Sequence, residues 1–94
     1  MFTVISKPNC PYCVKAKTLL TCYNLPYKEF VAGKDLTREE VLEDIPDEVK
    51  NKEGFVLTVP QIYHSVHYVG GYSELEDYLV ENDLVRVYDV DIDF

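Results

Sequence analysis

The spacing of apolar positions changes several times along the chain, and each change marks an element. Met1 to Ile5 is a short, mostly apolar, β-branched run closed by Ser6-Lys7-Pro8-Asn9, which predicts a buried strand and a turn. From Pro11 the spacing becomes helical, with Val14, Leu19 and Leu20 near one face and Lys15 and Lys17 outside it. Pro11 suits the first turn of a helix, where its missing N–H costs nothing. Asn24-Leu25-Pro26 ends that helix, and Tyr27 to Val31 reads as a second strand. A strand, a helix and a strand at this crossover length form a βαβ unit, so the two strands are expected to be parallel.

A second helix is expected from Thr37, with Glu40 completing a capping box and Val41, Leu42 and Ile45 on its apolar side. Pro46 interrupts it, and residues 47 to 52 suit a further turn before Gly54. Val56 to Val59 leads into Pro60, and Gln61 to Val69 alternates as a hairpin turning near Ser65-Val66. After Gly70-Gly71, Ser73 and Glu76 suggest a second capping box opening a last helix to about Asn82, with Leu75, Tyr78 and Leu79 inward. The order β-α-β-α-β-β-α predicts one α/β domain over residues 1–82. From Asp83 to residue 94, Val90, Ile92 and Phe94 alternate with Asp89, Asp91 and Asp93, as an acidic tail or an extra short strand would.

Charge divides the chain. Residues 1–34 carry five lysines against Glu29 alone, whereas residues 35–94 carry four bases against sixteen acids, for a net charge of −8. A polyanion such as nucleic acid is repelled by such a domain. The basic end nevertheless holds a cysteine pair, and both a thiolate and an anionic small thiol are favoured there. Three cysteines are an odd number for a disulfide-stapled secreted fold. With no signal-peptide pattern and no long apolar run, the expected setting is the reducing cytoplasm, away from membranes.

Cys10-Pro11-Tyr12-Cys13 carries the strongest chemistry. Cysteines three apart at a helix start lie at one end of it, close enough for a disulfide. The N–H groups of Tyr12 and Cys13, with the helix dipole, would stabilise a Cys10 thiolate, making Cys10 the nucleophile and Cys13 the resolving thiol. The competing use of such a pair is half of a zinc site. His64 and His67 flank the hairpin turn and could complete a Cys2His2 set, although Pro and Tyr between the cysteines and the βαβ setting favour redox use. Cys22, about 13 Å along the helix axis from Cys13, is out of pairing range and is expected to be partly buried and structural.

Three segments together resemble the glutaredoxin family: Cys10-Pro11-Tyr12-Cys13, Thr58-Val59-Pro60 and Gly70-Gly71-Tyr72-Ser73, in the family's order over residues 1 to about 82. The length is similar to that of small phage glutaredoxins. The resemblance implies a thioredoxin-like fold with a four-stranded mixed sheet and three main helices. It implies reduction of protein disulfides and glutathione mixed disulfides, with glutathione as reducing co-substrate and no metal or prosthetic group. It also implies a cis Val59-Pro60 bond beside Cys10, with the Val59 backbone pairing with bound glutathione. From the residues alone, Pro60 reads more commonly as a strand-entry proline, and a plain turn is the lesser alternative for Gly70-Gly71. By resemblance, Gly70-Gly71 and the N–H groups of Tyr72 and Ser73 would receive the γ-glutamyl carboxylate, Lys7 the glycyl carboxylate, and Tyr12 would wall the site. Otherwise Lys7 is an ordinary surface lysine. The implied state is a monomer serving disulfide-containing proteins, with a ribonucleotide reductase as one family client.

Two departures bear on this. Ser73 stands where many glutaredoxins carry an acid for the glutathione amine, leaving Glu74 as the substitute. The stretch from Pro46 to Leu57 is long and acidic, with Lys50 and Lys52 as candidates to assist Lys7. Two further readings therefore stand beside the first. One is a dithiol reductant fed by a thioredoxin reductase. The other is an iron–sulfur module bridging two subunits through Cys10, which Pro11 disfavours.

Overall fold

The structure, a computed structural model, describes residues 1–84. Strand β1 (Phe2–Ser6) is followed by helix α1 (Pro11–Cys22), strand β2 (Tyr27–Val31), helix α2 (Arg38–Asp44) and the one-turn helix α3 (Asp47–Lys50). The hairpin β3 (Gln61–His64) and β4 (His67–Gly70) then leads into helix α4 (Tyr72–Glu81). The sheet order is β2-β1-β3-β4, with β1 and β2 parallel and the other pairs antiparallel. This is the expected mixed sheet and thioredoxin-like fold. The tail alternation of residues 85–94 lies outside the described residues.

The alternation of β1 divides the apolar residues between two faces. Phe2 and Val4 join Ala16 and Leu20 of α1, Ile62 of β3, and Leu75 and Leu79 of α4 in one cluster. Ile5 packs on the other side against Val41 and Ile45 from the α2 region. Each fully buried Val, Leu, Ile or Phe side chain contributes about 1.5–3 kcal/mol relative to exposure, so these clusters hold the sheet between its helices.

Local chemistry sets the helix ends. Thr37 and Glu40 form the expected capping box at α2. The α1 helix closes with Asn24 in the left-handed region (φ 57°), where Leu25 N–H donates to Leu20 O and Asn24 N–H to Thr21 O. That bond pair is a Schellman closure, and it carries the chain straight into β2. Asp83 (φ 56°) closes α4 in the same way.

Three helical expectations change. The buried stripe of α1 is Cys13, Ala16 and Leu20, spaced three and four apart, while Val14 is exposed. Cys22 is exposed rather than partly buried, because two residues beyond Leu20 is more than half a turn around the helix. The last helix starts at Tyr72 with Gly71 as N-cap, so Ser73 lies inside the first turn and forms no box with Glu76. Instead, the Gly71 N–H donates to Oε1 of Glu74 at 2.9 Å.

Candidate active site

Cys10 occupies the N-cap of α1 with extended backbone (φ −115°, ψ 102°), and Pro11 takes the first helical position. An N-cap side chain reaches the N–H groups two or three residues on. Here the Cys13 N–H donates to Cys10 Sγ at 3.2 Å. Of the two donors expected from the sequence, Cys13 is the one that engages the sulfur. Cys10 and Cys13 are joined as a disulfide, with Cα atoms 5.2 Å apart. Cys10 keeps 8% of its surface exposed and Cys13 only 1%, which makes Cys10 the sulfur that a substrate can approach. On reduction, the same N–H and the helix dipole favour a Cys10 thiolate.

A second segment meets this sulfur. The Val59–Pro60 peptide bond is cis, and the Val59 carbonyl oxygen lies 3.7 Å from Cys10 Sγ. Buried Gln61 braces the segment: its Nε2 donates to Thr58 O at 2.7 Å, and its Oε1 accepts from the Tyr68 hydroxyl at 2.6 Å. Burial raises the Tyr68 pKa, which keeps the phenol protonated as a donor. Sequence reading passed over Gln61, although a polar residue beside Ile62 at the start of a core strand must find partners.

The double glycine brings α4 up to this segment. Gly70 has φ 120°, a region closed to ordinary side chains, and a Cβ there would meet Glu74 Cγ at 3.0 Å. A Cβ on Gly71 would lie 3.8 Å from Pro60 O, so the helix start sits against the cis-proline segment. The first-turn N–H groups of Tyr72 and Ser73 have no intrahelical acceptor. The Tyr72 ring is 6.0 Å from that of Tyr12, which is exposed with Lys15 Nζ 5.0 Å from its centroid.

Lys7 joins two cavities. One, of about 520 Å³, is lined by Cys10 and Cys13; the other, of about 300 Å³, by Arg38, Thr58 and Val59. Arg38 was missed in the sequence, yet it carried a signal. A cation in the first turn opposes the helix dipole, so its placement there points to a use elsewhere. Lys50 and Lys52 do not line either cavity. Lys50 donates to Leu42 O and faces Asp47, and so ties α2 to α3.

The Cys2His2 alternative is not assembled. His64 pairs across the sheet with Phe2, at the opposite end of β1 from the cysteine loop, roughly 13–16 Å away along the strand. There His64 stacks on Phe2 and its Nδ1 lies 2.7 Å from the Tyr78 hydroxyl, while His67 stacks on Tyr78. Among the described residues no helix is long and apolar enough to cross a membrane.

The glutaredoxin family model matches residues 2–69. Glutaredoxin 1 of Rickettsia prowazekii is 40% identical over 67 residues, covering 71% of this chain and 64% of that protein. The hybrid peroxiredoxin hyPrx5 of Haemophilus influenzae is 34% identical over 76 residues, covering 81% of this chain and 28% of that protein. The match thus spans less than two thirds of the length of both curated relatives. The solution structure of glutaredoxin from Brucella melitensis superposes with a TM-score of 0.62 at 30% identity, covering 88% of this chain and 82% of that one.

Proposed function

Because the chain belongs to the glutaredoxin family, we propose that it is a thiol–disulfide oxidoreductase that reduces protein disulfides and glutathione mixed disulfides at the expense of glutathione. The observation that carries this reading is the Cys10–Cys13 disulfide at the start of α1, with Cys10 Sγ accepting the Cys13 N–H. In the reduced protein the Cys10 thiolate attacks a substrate disulfide, forming a mixed disulfide and expelling one thiolate. A Cys13 thiolate then displaces the second half and closes the Cys10–Cys13 bond. Two molecules of glutathione reopen it in two exchanges, leaving as glutathione disulfide.

The docking surface is part of the same proposal. Lys7 and Arg38 supply positive charge for the glycyl carboxylate beside Val59, whose backbone pairs with the cysteinyl part of glutathione. The N–H groups of Tyr72 and Ser73 receive the γ-glutamyl carboxylate, as a helix start favours an anion. Tyr12 walls the opening. The reaction needs no metal or prosthetic group, and the reducing cytoplasm is its natural setting.

A second reading keeps the exchange chemistry but changes the reductant. Ser73 offers no charge to the glutathione amine, and Glu74 is already engaged by the Gly71 N–H. That favours a thioredoxin reductase as electron source. The deciding experiment supplies each reductant in turn, with the same glutathione mixed disulfide as substrate. Turnover with glutathione and glutathione reductase supports the first reading. Turnover confined to thioredoxin reductase supports the second.

A further inference from the structure

Behind the disulfide lies a charge arrangement that substrate docking does not use. Ser6, at the end of β1, is only 1% exposed, and its hydroxyl donates to Glu29 Oε2 on β2 at 2.5 Å. The same carboxylate oxygen lies 2.8 Å from Lys17 Nζ on α1. Ser6, Lys17 and Glu29 line the 520 Å³ cavity together with Cys10 and Cys13. Lys17 follows Cys13 by four residues on α1, the spacing that puts two side chains about 5–6 Å apart on one face.

We infer that the Lys17–Glu29 pair, anchored by Ser6, is a positioning device that sets the acidity of the Cys13 thiol and so the rate of the resolving step. The inference rests on the dithiol chemistry proposed above. In that step Cys13–SH loses its proton to solvent in the cavity. Its sulfur then bonds to Cys10 Sγ, the bond from Cys10 to the substrate sulfur breaks, and the departing thiolate takes up a proton. No oxidant or reductant beyond the mixed disulfide is consumed.

The need for such a device comes from burial. A thiol with 1% exposure ionises with difficulty in low dielectric. Lys17 offsets this by favouring the thiolate. Glu29 holds the ammonium at the cavity wall and cancels part of its field. Among the described residues, the other charged group lining that cavity is Lys7 from the β1–α1 loop. Removing either member of the pair should therefore move the Cys13 acidity in opposite directions. A strut joining α1 to β2 would give no such opposition.

The test titrates the Cys13 thiolate by its ultraviolet absorbance in the reduced full chain carrying Cys10→Ser and Cys22→Ser, where Cys13 is the sole thiol. Glu29→Gln should lower its pKa by about half a unit or more, and Lys17→Met should raise it by a similar amount. The Glu29→Gln/Lys17→Met double variant should fall between them. Lys17→Gln repeats the second arm with a polar side chain should the methionine variant fold poorly. Shifts in the same direction, or none in either variant, overturn the inference. No glutathione enters the measurement, so it stands or falls independently of the electron source.

Discussion

The Cys10 sulfur lies 3.7 Å from the Val59 carbonyl oxygen, joining segments 49 residues apart in sequence. Gln61 braces the Val59 segment, its amide spanning Thr58 O and the Tyr68 hydroxyl. Gln61→Leu removes both hydrogen bonds and should cost about 1–3 kcal/mol of stability. Urea midpoints measure the loss, and a KM increase for a glutathione mixed disulfide should accompany it. An unchanged midpoint would show that the brace is idle.

Gly70 and Gly71 should separate by substitution. Gly70→Ala forces a side chain into a left-handed backbone region and against Glu74, at about 1–2 kcal/mol. Gly71→Ala meets the flexible Glu74 carboxylate at 3.1 Å and Pro60 O at an ordinary 3.8 Å, so its denaturation midpoint should stay close to that of the parent.

Lys7 and Arg38 share one cavity wall with Val59. Lys7→Gln and Arg38→Gln should each raise KM for a glutathione mixed disulfide by about fivefold, as expected for an exposed ion pair of about 1 kcal/mol. The Arg38→Gln change should leave kcat within about twofold and weaken with added salt. Steady-state kinetics at low and high ionic strength check both points.

His64 gives the stability a pH dependence of known sign. Burial, then the N-terminal ammonium and His67, hold its pKa below the ordinary imidazole value. The unfolded chain therefore binds a proton that the folded one resists. The contribution is full above about pH 6.5, the unfolded value, and declines as pH falls through the folded pKa. Urea midpoints at pH 7.5 and 5.5 should differ less in His64→Gln than in the parent. An equal difference in both would assign the effect to other groups.

Much of this architecture was legible in local pattern. Thr37 and Glu40 announced α2, Asn24-Leu25 the end of α1, and Cys10-Pro11-Tyr12-Cys13 the N-terminal turn, because each is decided by neighbours within a few residues. The α4 start was misplaced because Ser73 and Glu76 satisfy the capping pattern as well as Gly71 and Glu74 do, and tertiary packing against Pro60 chose between them. Arg38 and Gln61 were missed for a related reason. Their roles depend on which distant segments the sheet order brings together, and single-chain periodicity does not encode that. Cys22 departs from its expected burial because its position around α1, not its residue type, sets its exposure.

The central claim is that Cys10 performs the exchange and Cys13 serves only to resolve it. The most direct measurement is turnover of a glutathione mixed disulfide, with glutathione and glutathione reductase, by the parent, Cys10→Ser and Cys13→Ser proteins. Turnover should vanish in Cys10→Ser and persist in Cys13→Ser, where a second glutathione releases the product. Retained turnover in Cys10→Ser, or none in the parent, would contradict the account.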